Sequence, residues 1–164
     1  MYLPKIIVVG DSGTGKTSLV HACLGERFRE LIPSTIGVEV NHCMFAGDEV
    51  KVWDCAGKEE LGGLRDGYYI GATGAVIVMK EFREIKATPP LIRDIINVCG
   101  NIPIAFVFNH CDEPDEAREQ IFLDQIETLH SHLINSSTIF FTSAKTSRNI
   151  TLPFEMITLA SQPP

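Results

Sequence analysis

Short blocks of consecutive apolar residues alternate along the chain with longer segments of mixed polarity. Lys5–Val9 (KIIVV), Ala75–Met79 (AVIVM), Ile104–Phe108 (IAFVF) and Thr138–Phe141 (TIFF) have the length and unbroken apolar character of strands buried on both faces. Val38–Phe45 and Val50–Trp53 flank Gly47-Asp48, a tight-hairpin signal. Helical patterns fall between these blocks. They run from about Lys16 to Leu24, from Leu91 to Val98 (closed by Gly100 and Pro103), from Asp115 to Leu133, and from about Asn149 to Ala160. Pro153 fits the last of these only in its first turn. Strands alternating with helices predict an α/β fold, a mainly parallel six-stranded sheet covered by helices on both faces, in one domain spanning 1–164. In such sheets ligands bind beyond the carboxyl ends of the strands, so the chemistry is expected in those loops.

The first of these loops carries the firmest signal. Gly10-Asp11-Ser12-Gly13-Thr14-Gly15-Lys16-Thr17 satisfies every fixed position of the P-loop pattern GxxxxGK[ST], after a buried strand and at the opening of a helix. Its glycines let successive backbone N–H groups turn inward around a phosphate, and the helix N-terminus adds a favourable dipole. Lys16 is expected to reach the β- and γ-phosphates, and Thr17 Oγ1 to ligate Mg²⁺. The motif specifies a nucleotide phosphate and leaves the base open.

The base is read from Asn109-His110-Cys111-Asp112, which follows the strand at Ile104–Phe108. A carboxylate at Asp112 can accept both N1–H and N2–H of guanine, a pattern adenine does not offer. Asn109 is expected at the base edge, tying its loop to the P-loop. Ser143-Ala144-Lys145 follows TIFF, Asp54 ends the strand before Cys55-Ala56-Gly57, and Thr35 lies in Ser34-Thr35-Ile36-Gly37.

In order and spacing these pieces resemble the NKxD, SAK, DxxG and switch-threonine motifs of the Ras-superfamily small GTPases, whose fold is the P-loop NTPase G domain. The resemblance implies GTP/GDP and Mg²⁺ as cofactors. It implies that Thr17, Thr35 and Asp54 hold the metal and that the Gly57 N–H faces the γ-phosphate. A backbone N–H of Ser143-Ala144-Lys145 would meet guanine O6, with the Lys145 stem over the base. Further nucleotide contacts are implied for Asp11, Ser12, Gly13, Thr14, Gly15, Ser18 and Phe28. Lys16, Thr35 and Lys58 take the catalytic positions.

Within the superfamily the Ran branch is the nearest resemblance. It is carried by Trp53-Asp54-Cys55-Ala56-Gly57 with Gly62-Gly63-Leu64-Arg65-Asp66-Gly67-Tyr68-Tyr69-Ile70, by Thr35-Ile36-Gly37-Val38-Glu39-Val40, and by Leu152-Pro153-Phe154. That branch implies a role in nucleocytoplasmic transport, a place in nucleus and cytoplasm, and effectors, transport receptors or an exchange factor bound as a monomer through Ile32–Val40 and Gly57–Tyr69.

The chain departs from the pattern in several places. Lys58 stands where the family has its catalytic glutamine; lysine has three donors and no acceptor, so it cannot accept a hydrogen bond from an attacking water. Hydrolysis is therefore expected at or below about 10⁻⁴ s⁻¹. His110 stands where the family has a lysine, and its shorter, mostly neutral ring is expected to weaken nucleotide affinity by roughly 1–2 kcal/mol. Glu113–Glu119 is acidic where the Ran branch is basic, and the C-terminal extension of that branch is not expected.

Composition narrows the remaining choices. At 164 residues with 45% apolar content the chain can bury a core, and no apolar run approaches the roughly 20 residues of a membrane span. A formal charge of −7 argues against nucleic acid as the main partner. No signal peptide, prenylation box or myristoylation glycine is read at the ends, so no membrane anchor is expected. The odd set Cys23, Cys43, Cys55, Cys99 and Cys111, without a CxxC pair, predicts reduced, mostly buried thiols of an intracellular protein, with Cys111 the most exposed. Three functions stay open: a GTP/GDP switch, a pseudo-GTPase or nucleotide-locked scaffold, and an ATP-using P-loop enzyme, against which Asp112 argues.

Overall fold

A computed structural model describes residues 3–33, 35–57, 65–131 and 137–163. Its centre is the strand β1 (Lys5–Val9), which lies between β3 (Asp48–Cys55) and β4 (Gly74–Met79), both parallel to it. β5 (Ile104–Phe108) and β6 (Ser137–Phe141) extend the sheet in parallel, and β2 (Val38–Phe45) closes the other edge antiparallel to β3. The order is β2-β3-β1-β4-β5-β6 in a six-stranded sheet. The expected mainly parallel α/β architecture is therefore what the chain adopts.

The unbroken apolar runs follow from burial on both faces. Alternate residues of the parallel strands point into two cores. Ile7, Ile77, Phe106 and Phe108 meet Ile92 and Ile95 of α3 (Thr88–Cys99) and Phe122 of α4 (Glu116–His130). Ile6, Val8, Val76 and Val107 meet Leu19 of α1 (Lys16–Cys23) and Phe154 of α5 (Leu152–Ala160). Phe154 is fully buried and stacks on Phe45 at 4.9 Å. Its truncation to alanine would cost about 3–5 kcal/mol.

Element ends differ from the sequence expectation for local reasons. The hairpin turns at Ala46-Gly47, both left-handed (φ 51 and 86), because Asp48 already pairs with Phe45. α3 begins at Thr88, not Leu91; Pro89 and Pro90 sit in its first turn, where no backbone N–H is needed. Asp115 caps α4 instead of joining it, accepting from the Arg118 N–H at 3.1 Å. α5 begins at Leu152 because Asn149 is left-handed (φ 52) and cannot lie within a right-handed helix; Pro153 does fall in the first turn. Two elements carry no clear apolar period and were not expected: α2 (Arg65–Tyr69) and a 3₁₀ turn at Phe82–Ala87. The latter is held by the buried Glu84 carboxylate, which accepts from the N–H groups of Lys80 (2.6 Å) and Glu81 (3.0 Å).

The cysteines are free thiols. Burial pushes Cys23 and Cys55 up to about 12, which makes them poor nucleophiles. Cys111 does not stand out as expected: it is half-buried like Cys23 and Cys99, with its Sγ 3.3 Å from the Phe108 carbonyl.

His130 gives the core a pH dependence. It is 2% exposed, stacks on Phe106 at 5.1 Å, and lies 2.6 Å from Thr88 Oγ1 through Nε2. The Thr88 hydroxyl donates to the Ile85 carbonyl at 2.6 Å, so Nε2–H is the donor to Thr88, and Nδ1 is left as an acceptor without a partner among the described residues. Burial holds the imidazole below its usual 6.5, so the unfolded chain takes up a proton that the folded chain refuses. Stability contributed by neutral His130 is present above that value and lost as pH falls. Urea midpoints of wild type should therefore fall more steeply than those of His130→Gln between about pH 7 and about pH 5; parallel curves would contradict this.

Candidate functional site

The loops after β1, β3, β5 and β6 surround one cavity of about 400 Å³. Its floor is the P-loop. The Lys16 ammonium, 6% exposed, donates to the carbonyls of Asp11 (2.8 Å) and Gly10 (3.1 Å), and Thr14 Oγ1 donates to the Asp11 carbonyl at 3.0 Å. The loop is thus curled around its own lysine. Gly57 comes so close that a Cβ on it would lie 2.8 Å from Ser12 N, which fixes the distance between the loop after β3 and the P-loop. Gly15 is left-handed (φ 88), and a Cβ there would collide with the Asn109 amide.

Asn109 does the tying expected of it. Its Nδ2 donates to the Thr14 carbonyl at 3.2 Å, its Oδ1 accepts from Thr142 Oγ1 at 3.2 Å, and its backbone N–H donates to the Met79 carbonyl at 2.8 Å. Asp112 Oδ1 accepts from Ser143 Oγ at 2.6 Å, which joins the loop after β5 to the loop after β6. Arg148 reinforces the same junction, donating to the Cys111 carbonyl (3.1 Å) and to Glu119 (2.8 Å). Neither Thr142 nor Arg148 was singled out from sequence; a lone strand-end threonine and a lone loop arginine give no signal until their partners are in place. Ala144 and Lys145 complete this wall, and Lys145 Nζ lies 3.9 Å from Glu30 across the mouth, an exposed pair worth little.

His110 takes a left-handed backbone (φ 63), and its Nε2 lies 3.1 Å from where a Gly15 Cβ would stand. Burial holds its imidazole below 6.5, and the charge of Lys80 acts in the same direction against Asp112 and Glu84. Both effects favour the neutral ring over the imidazolium.

Beside the phosphate loop, Thr17 Oγ1 bonds Asp54 Oδ2 and lies 2.7 Å from Thr35 Oγ1. Asp54 is fully buried, and its Oδ1 has no partner among the described residues. Burial raises its carboxyl to about 6, opposed by the Thr17 hydrogen bond and the charge of Lys16. A buried carboxylate with a bare oxygen next to two hydroxyls suits a small hard cation whose shell is completed by phosphate and water. Among the described residues no cluster of three or more His, Cys, Asp or Glu side chains is present.

The expected site residues thus divide. Ser12, Gly13, Gly15, Lys16, Thr17, Ser18, Phe28, Thr35, Gly57, Asn109, His110, Asp112, Ser143, Ala144 and Lys145 line the cavity. Asp11, Thr14 and Asp54 are not part of this lining; Thr14 and Asp54 are fully buried, and Asp11 is half-buried on the side toward Val9, Gly10 and Tyr69. Lys58 and Gly62-Gly63-Leu64 lie outside the described residues.

The family model of the Ras family matches residues 5–162, nearly the whole chain. The chain belongs to the Ras family. Ras-family proteins bind GTP and GDP, typically with Mg²⁺. It is a GTP-binding switch protein. No helix among the described residues is long and apolar enough to cross a membrane.

The Asn109 tie has a measurable consequence. Asn109→Ala strands a buried carbonyl at Thr14 and a buried hydroxyl at Thr142. It should cost about 2–4 kcal/mol in urea unfolding. A loss below about 0.5 kcal/mol, the scale of an ordinary surface substitution, would contradict the tie.

Proposed function

We propose that this protein is a guanine-nucleotide switch of the Ran type whose GTP hydrolysis is slow. The observation that carries the proposal is the convergence of the P-loop, Asp112 and Ser143-Ala144-Lys145 on one cavity. In this reading the N–H groups from Gly13 to Thr17 and the Lys16 ammonium hold the phosphates. Asp112, oriented by Ser143 Oγ, accepts from N1–H and N2–H of guanine. Thr17, Thr35 and Asp54 hold Mg²⁺, which neutralises charge on the phosphates when bound. The bare Asp54 oxygen supports that assignment.

Switching needs segments whose order depends on the γ-phosphate. Thr35 and Gly57 are the residues of this chain that would register it. Around Thr35, Leu31 and Ile36 are 92% and 94% exposed, so this segment offers apolar surface to an effector. Trp53–Gly57 and Leu152-Pro153-Phe154 favour the Ran branch, with transport receptors or an exchange factor as partners and nucleus and cytoplasm as location; that assignment rests on resemblance.

Lys58 governs the rate. A lysine can place positive charge near a developing anion but cannot accept a hydrogen bond from the attacking water. With the neutral His110 it also favours a second reading, a nucleotide-locked scaffold that binds partners without turning over GTP.

Two measurements test the proposal. Nucleotide extracted from purified protein should be guanine nucleotide, and single-turnover hydrolysis should be at or below about 10⁻⁴ s⁻¹ and rise in Lys58→Gln; equal rates would remove Lys58 from the account. Asp112→Asn should lower the preference for GDP over xanthosine diphosphate by on the order of a hundredfold, since the carbonyl-and-amide edge matches the altered base. Unchanged selectivity would overturn the role of Asp112.

A further inference from the structure

Lys80 follows β4 directly, and its backbone is fixed on both sides. Its N–H donates to the Glu84 carboxylate at 2.6 Å, and its carbonyl accepts from Arg118 Nη2 at 3.3 Å. From there the half-buried side chain extends to the phosphate loop, and Nζ lies 3.9 Å from the point a Cβ on Gly13 would occupy. Among the described residues the ammonium has no hydrogen bond or ion pair. Of the carboxylates nearest along the chain, Glu81 pairs with Arg83 Nε at 2.6 Å, and Glu84 accepts from two backbone N–H groups through one oxygen.

A half-buried ammonium that no side chain engages attracts any anion that arrives beside it. The anion this cavity is built to admit is the phosphate chain of a nucleotide. Lys80 does not line the cavity, so its action passes through the wall formed by Gly13 and His110. We propose that Lys80 is a nucleotide-positioning residue. It places behind the Gly13 turn the positive charge that the neutral ring at position 110 does not supply from the base loop. The proposal rests on the guanine-nucleotide reading above.

The electrostatics at His110 agree with the geometry. The Lys80 charge disfavours protonation of His110, whereas Asp112 and Glu84 favour it. Lys80 and a second cation at position 110 would therefore repel one another. The two positions share one role, in which a charge at either side serves and a charge at both is worse than additive.

The test is a double-substitution cycle read by release of fluorescent GDP from the full chain with Mg²⁺. Lys80→Met keeps the length of the stem and removes the charge; release should accelerate about tenfold, the scale of one charged hydrogen bond. Lys80→Arg should stay within about threefold of wild type, because it keeps the charge. His110→Lys should slow release again in the Lys80→Met background and give little or no slowing in the wild-type background. The His110 pKa, followed by NMR of the ring, should rise in Lys80→Met. A merely structural role would lower the melting temperature without moving that pKa. If wild type binds GDP but Lys80→Met releases it at the wild-type rate, or if His110→Lys acts equally in both backgrounds, this proposal alone is overturned. If wild type binds no guanine nucleotide, the underlying reading falls and this proposal with it.

Discussion

The side chain of Asn109 is the interaction on which the site depends. With its own backbone N–H bonded to the end of β4, its amide reaches the P-loop and its carbonyl oxygen receives the hydroxyl at the end of β6. Four chain segments far apart in sequence are thereby held at one level above the sheet. A parallel sheet brings strand ends together only approximately, within the scatter of strand length and twist. A fully buried amide with both ends satisfied removes that latitude, and it would be costly to leave either end open.

Near this tie stand two groups whose charge a ligand would complement. Asp54 is a carboxylate buried with one oxygen bare, its carboxyl raised to about 6. Lys80 is a half-buried cation without a partner among the described residues. The opposite signs of the two residues match the opposite charges of a metal ion and a phosphate chain. Stability surrendered at such places is what a binding protein recovers when its ligand arrives.

The sheet and its helices were legible because double burial leaves unbroken apolar runs and because the P-loop pattern is long and demands its own context. Element ends were less legible. Asp115 reads as helical until its side chain is seen capping the helix, and Asn149 reads as helical until its left-handed backbone is seen. The 3₁₀ turn at Phe82–Ala87 was hidden because a buried glutamate, not apolar spacing, holds it. In the site, Asn109, Asp112 and Thr17 announced themselves by position within motifs. Thr142, Arg148 and Lys80 did not, since each acts through a neighbour that only folding supplies.

Everything above turns on whether the cavity recognises guanine nucleotide together with Mg²⁺. Calorimetric titration of nucleotide-free protein with GDP and with ADP, each with and without Mg²⁺, tests it most directly. One GDP should bind per chain, more tightly with Mg²⁺ and on the order of a hundredfold or more tighter than ADP. Equal affinity for the two diphosphates, or no saturable binding of either, would contradict it.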